Sequence, residues 1–290
     1  MLFKCDNNLE KVVIPDSITK IAAEAFVGCR QLKTVLIPDS VTSIGNKAFL
    51  GCNSLTSITI GNNVTSIGYG AFYNCIRLVN VNLPDSITSI GYSAFDGCSS
   101  LTNIKIPNSV TSIGDGAFLG CHSITSIVLP SSVTSIEKRT FYYCSGLTSI
   151  AISNSVTSIG EYAFASCGSL TSVIIPDSVA IIKDSAFTSC SGLKSVTIGN
   201  GVKSIGKAAF NGCSSLTSIT IPDSVTSIGS LAFMDCRSLT SIVIPSSVTS
   251  IANNAFEFCP RLKNIAVDKN NPNYKVVDGH LYDKNDKMIA

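Results

Sequence analysis

Eleven cysteines stand at positions 29, 52, 75, 98, 121, 144, 167, 190, 213, 236 and 259, and every interval between them is 23 residues. Phenylalanine keeps the same step three residues earlier, from Phe26 through Phe49 to Phe256 without a gap. Leucine or isoleucine follows each cysteine by three, as in Leu32, Leu55 and Ile124. Eleven registers with no insertion confine the chain to a stack of repeats. One 23-residue unit cannot bury its apolar face alone, whereas stacked units share a continuous core.

The unit divides into three local patterns. Leu101, Ile104 and Ile106 lead to Pro107, and the two isoleucines alternate as in a strand with one buried face. Pro107 cannot donate to a ladder and ends the strand, and Asn108 and Ser109 supply turn chemistry. Val110 and Ile113 flank Thr111 and Ser112 in a short second strand, which Gly114 breaks. Ile113, Ala117, Phe118 and Cys121 then fall at i, i+4, i+5 and i+8, the spacing of one face of a short helix. The expected fold is therefore a right-handed solenoid of about eleven turns, each a strand, a short second strand and a short helix. In-register parallel strands would set successive turns roughly 4.8 Å apart.

The ends depart from the repeat. After Val267, Asp278-Gly279 lies between Lys275-Val276-Val277 and His280-Leu281-Tyr282, a strong hairpin signal, so residues 268–290 are expected to form a C-terminal β-hairpin cap on a solenoid spanning 9–267. Residues 1–8 read as a partial N-terminal repeat: Phe3 keeps the phenylalanine register and Cys5 misses the cysteine register by one. This predicts a partly open N-terminal edge through which copies could self-associate.

Composition excludes several functions. Only 14% of residues are charged, against about 25% in ordinary globular chains. Net charge is +2, and the excess lies from Arg261 onward, leaving fifteen charges of each sign elsewhere. No basic footprint for nucleic acid is present. No apolar run approaches the roughly 18 residues of a membrane span, and the N-terminus MLFKCDNNLEKVV lacks the apolar core of a signal peptide.

The composite motif A-F-x-x-C-x-x-L-x-x-[IV]-x-[IL]-P-x-S-V-x-x-I-G, as in Ala25 to Gly45 or Ala209 to Gly229, resembles the BspA-like (Treponema pallidum type) leucine-rich repeats over about residues 9–267. The tail from Val267 to Tyr282 is similar to the segment that closes such blocks. Departures are local: Gly61, Ser153 and Gly199 stand for the proline, Ala22, Glu137, Lys183 and Ala252 for the glycine, and Thr140 for the alanine. The resemblance implies a cell-surface or secreted adhesin-type protein. It also implies protein partners such as the matrix proteins fibronectin or fibrinogen, and it brings no catalytic residues. The competing expectation is a structural or self-associating spacer rod within a larger surface protein.

The residues themselves suggest neither an enzyme nor a cofactor or metal site. A 23-residue cysteine spacing is not a zinc pattern, and parallel ladder thiols fit the disulfide torsion badly. The column therefore reads as small buried hydrophobes, with Cys5, outside it, as the most reactive thiol. His122 and His280 are the only imidazoles, and His122 occupies a place that varies from repeat to repeat, as a surface position does. No serine sits in a nucleophile elbow and no glycine-rich loop cradles phosphate. The regular Ser/Thr array, as in Thr56 to Thr59 and Thr217 to Thr220, reads as strand-forming polar residues rather than a water-ordering surface.

Binding is expected where the repeats differ. The outward strand column runs Val13, Leu36, Thr59, Asn82, Lys105, Val128, Ala151, Ile174, Thr197, Thr220, Val243, and its middle, Val128, Ala151 and Ile174, is apolar. Ile181 adds an apolar residue in a column otherwise mostly serine. On the other side, Leu50, Tyr73, Asp96, Leu119 and Tyr142 form a second variable column, and Tyr142 and Tyr143 stand near Lys138 and Arg139, residue types that anchor interfaces.

Overall fold

A computed structural model describes residues 9–289. The chain is a β-solenoid of about eleven 23-residue turns. It divides into two compact units, one formed by residues 1–133 and 137–147, the other by 134–136 and 148–290. The expected partial repeat at residues 1–8, its open edge and Cys5 lie outside the described residues.

Each turn contributes a first strand of three or four residues, such as Thr34–Leu36, and a second strand of two, such as Ser43–Ile44. Both pair in parallel with the equivalent residues 23 positions away: Val12 opposite Val35, Val35 opposite Ile58, Ile44 opposite Ile67. The register follows from the side-chain alternation, because a one-residue slip would turn every buried Val and Ile outward. In the first unit five first strands are hydrogen-bonded in sequence from Lys11–Val13 to Asn103–Lys105. In the second unit six second strands run without interruption from Ser135–Ile136 to Ser250–Ile251.

The third part of the turn is not a helix, and no helix occurs among the described residues. The amides of Ala94, Asp96 and Cys98 donate three residues back, to Gly91, Ser93 and Phe95, while those of Ser93, Phe95 and Gly97 donate to Asp115, Ala117 and Leu119 of the next turn. Alternate N–H groups therefore point along the chain and across it. The cause is a change of hand: Ser93 and Gly97 have φ of 47° and 74°, and the matching positions of other turns, among them Lys47 and Arg139, are also left-handed. A right-handed helix cannot accommodate such residues. The glycine that precedes many ladder cysteines, such as Gly97 and Gly120, marks one of these two positions.

Side chains repeat as faithfully as the backbone. Phe26, Phe49, Phe72, Phe95, Phe118 and Phe141 stack in the first unit with ring centroids 5.0–5.6 Å apart and planes within 11°. Phe164, Phe187, Phe210, Phe233 and Phe256 do the same in the second, at 5.1–5.6 Å. The cysteines are buried beside them, but they are more than filler. Cys98 Sγ donates to the Phe72 carbonyl at 3.2 Å, as Cys75 does to Phe49 at 3.1 Å and, in the second unit, Cys190 to Phe164 at 3.1 Å. Small size fits the column, and the weak S–H donor meets a carbonyl that an alanine would leave without that bond. The ladder of free thiols begins at Cys52, since Cys29 is disulfide-bonded.

The threonines also serve the stack. Thr88 Oγ1 donates to the Thr65 carbonyl at 3.1 Å, Thr111 to Thr88 at 3.2 Å and Thr56 to Lys33 at 3.1 Å. These hydroxyls satisfy carbonyls of the preceding turn, which accounts for threonine recurring at those positions.

At the C-terminus Tyr274–Val277 pairs antiparallel with His280–Asp283, and Asp278 and Gly279, at φ 49° and 82°, make the two-residue turn. Asn271 ties this region to the last turn. Its Nδ2 donates to the carbonyls of Pro245 at 2.7 Å and Val248 at 3.2 Å, and its Oδ1 accepts from Asn273 N at 2.8 Å and Tyr274 N at 3.1 Å. The Tyr274 hydroxyl accepts from Ile251 N at 2.6 Å. These two side chains thus meet groups of the last turn that a further turn would otherwise meet. Asn271→Ala is expected to lower unfolding stability by about 1–3 kcal/mol and to raise amide exchange first at Ile251 and its neighbours. Uniform exchange across the second unit would show that the asparagine does not act locally.

Candidate binding surfaces

Two faces of the repeat carry its variable side chains. On the strand face, alternation turns every second residue outward. Val128 belongs to the first unit and is 69% exposed; Ala151 and Ile174 belong to the second, and Ile174 is also 69% exposed. Ile181, in the second-strand ladder of the second unit, is exposed as well and pairs with Ser158 and Ser204. The first unit holds a further apolar pair on its strand face: Val13 and Leu36 lie directly opposite each other in register, and both are exposed. Both residues stood in the outward column of the sequence, at a distance from its apolar middle.

On the turn face of the first unit, Tyr143 is exposed, with its ring 5.8 Å from that of Tyr142 and 5.3 Å from the edge of His122. Ser145 Oγ lies 3.3 Å from His122 Nδ1. This pair sits in solvent, where nothing desolvates the imidazole or fixes an attacking hydroxyl, so it is a surface contact. Arg139 and Lys138 line a separate cavity of about 160 Å³, together with Tyr92, Asp96, Asp115 and the buried Gly116. Burial pushes the Asp96 carboxyl above its ordinary pKa, and a 3.0 Å hydrogen bond from Ser93 Oγ partly offsets that. At the mouth, Tyr92 is 52% exposed and its ring lies 5.2 Å from Tyr69. Lys47 Nζ stands 5.6 Å over the Tyr69 ring and 3.8 Å from Glu24.

The structure brings Tyr142, Tyr143 and His122 together, and places Arg139 in the wall of a cavity whose other members the sequence did not single out as a group. Tyr69 and Tyr92 follow the turn-entry glycines Gly68 and Gly91, in a column continued by Asp115 and Lys138. That variation was the available signal.

Burial works against ionisation along the described thiol ladder. Burial raises the pKa of Cys144 and Cys190 to about 12, and that of the half-buried terminal Cys259 to about 11. Among the described residues no group of three or more His, Cys, Asp or Glu is arranged to hold a metal ion.

Comparison with known proteins gives the context for these surfaces. The family model described as BspA type leucine rich repeat region (6 copies) matches over residues 1–88, 65–194 and 181–277. The chain is 33% identical to a leucine-rich repeat protein of Bacteroides ovatus, covering 91% of this chain and 82% of that one, with a TM-score of 0.61. It is 31% identical to a leucine-rich cell surface protein of Faecalibacterium prausnitzii, over 90% and 88% of the two chains, with a TM-score of 0.52. A Treponema pallidum leucine-rich repeat protein is 33% identical over 56% of this chain and 78% of its own, with a TM-score of 0.54. No curated protein matches. The chain belongs to the BspA-type leucine-rich repeat family.

Proposed function

We propose that this chain is a protein-binding repeat module of a cell-surface or secreted protein, and that its strand face grips the partner in the manner of an adhesin. The observation that carries this reading is the outward placement of large apolar side chains on in-register parallel strands, above all Ile174 at 69% exposure. Exposed β-branched residues on a parallel strand gain nothing for the core, yet they offer a flat apolar surface that a partner can desolvate. The relative from Faecalibacterium prausnitzii is a cell surface protein, which supports the location. Matrix proteins such as fibronectin and fibrinogen are the first partners to try.

Binding of the full chain to immobilised fibronectin and fibrinogen tests the reading, beside Ile174→Lys and Val128→Lys as separate single variants. Saturable binding is expected, weakened at least about tenfold by a lysine at the contacting position. Melting temperature should hardly change, because exposed substitutions away from special features shift stability by about 0.5 kcal/mol or less. Failure of the intact chain to bind either protein would remove these partners. A change of oligomeric mass in the lysine variants would instead favour the self-associating spacer.

A further inference from the structure

Two residues beyond the turn-entry position, the first unit reads Glu24, Lys47, Gly70, Ser93, Gly116, Arg139, and all six have positive φ between 47° and 60°. The backbone is therefore the same with a side chain or without one. Crowding does not require the glycine at 116 either, since a Cβ there would meet nothing closer than Ser93 Oγ at 3.4 Å. Gly116, like Gly70 two turns earlier, leaves its step of the turn face without a side chain. Ser93 and Asp96 from the preceding turn, and Lys138 and Arg139 from the following one, then wall the cavity of about 160 Å³.

The chemistry of that wall is selective. Asp96 and Asp115 carry acceptor oxygens, and Lys138 and Arg139 carry several N–H donors each, enough to serve a ligand beside the partners they already have. Their formal charges cancel. An anion entering the cavity meets two carboxylates, and a cation meets two positive side chains, whereas a neutral ligand rich in hydroxyls can use acceptors and donors at once. Leu119 supplies an apolar contact inside, and the exposed Tyr92, backed by Tyr69 at 5.2 Å, presents an aromatic edge and face at the mouth. Such a ring suits the C–H side of a sugar, being apolar in its body and polar at its tip. The geometry points to a subsite for one ring of a neutral saccharide on the turn face of the first unit, floored by Gly116. This site is separate from the strand face and does not rest on the protein-binding reading.

Saturation-transfer difference NMR on the full chain tests it, with the methyl glycosides of glucose, galactose, mannose, N-acetylglucosamine and N-acetylgalactosamine, and with N-acetylneuraminic acid as the charged arm. Transfer to at least one neutral glycoside is expected. It should vanish in Gly116→Lys, which fills the cavity with the side chain that Lys47 already carries at the matching position and φ; the left-handed backbone disfavours any side chain there, so the melting temperature should fall by a few degrees while the chain stays folded. Asp115→Ala should weaken binding at least about tenfold by removing a charged hydrogen-bond acceptor. If Gly116→Lys fails to fold, Tyr92→Ala takes its place and should reduce transfer in the same way. Absence of transfer to every neutral glycoside, transfer unchanged in the folded cavity variant, or binding confined to the acidic sugar would each overturn the assignment.

Discussion

A Phe95→Ala chain should lose about 3–5 kcal/mol of unfolding free energy, the cost of truncating a fully buried aromatic ring. Phe95 is 0% exposed and stacks between Phe72 at 5.2 Å and Phe118 at 5.5 Å. Neither neighbour can collapse into the space left behind, because each is also held by the ring beyond it and by a backbone whose register is set at every turn. The loss should exceed that of Phe256→Ala. Phe256 has a single stacked neighbour, Phe233 at 5.5 Å, and is 5% exposed. Urea denaturation of the two variants makes the comparison. Equal losses would mean that the stack contributes nothing beyond the burial of each separate ring. Because stability in a repeat protein is built from nearest-neighbour interfaces, Phe95→Ala should also broaden the transition as turns on either side uncouple.

Stability should fall steeply above about pH 9, and the thiol column is the reason. In an unfolded chain a cysteine ionises near 8.5. In the fold, burial raises the pKa of eight ladder thiols, Cys75, Cys98, Cys121, Cys144, Cys190, Cys213, Cys236 and Cys259. Between the unfolded value and the folded values of about 12 for Cys144 and Cys190, the unfolded state has released protons that the native state retains. Raising the pH therefore favours unfolding. Each fully buried thiol contributes up to about 1.4 kcal/mol per pH unit in that window, and below about pH 8 its effect on the slope vanishes. With four such raised thiols in each unit, the urea midpoint should drop sharply between pH 8 and pH 10, measured with reductant present. A flat midpoint over that range would contradict the burial of the column. The same burial protects the thiols from DTNB at pH 8 in the native chain, and unfolding should expose them.

Much of the fold is legible in single residues. The 23-residue register of Phe and Cys marks both columns. Pro107 ends a strand because it has no N–H for the ladder, and Asp278-Gly279 makes a hairpin turn because both residues tolerate positive φ. The strand face is legible for a similar reason: alternation alone puts Val128 and Ile174 outside. The turn face is not. Ile113, Ala117, Phe118 and Cys121 have the spacing of a helix, yet the amides of Gly116, Phe118 and Gly120 are taken by Lys138, Thr140 and Tyr142 of the next turn. Helical spacing reports only which side chains share a face. It does not report where the amides between them point.

The sequence by itself determined the repeat, its period, its buried columns and its outward strand column, because those depend on the order of apolar and polar residues within one turn. The tertiary structure decided what no single turn contains. It set the alternating hand of the turn face, the S–H bond from ladder cysteines such as Cys98 to the phenylalanine carbonyl of an earlier turn, and the cavity over Gly116. Each of these is made by groups one or two turns apart, and the cavity exists because one side chain is missing between two that are present.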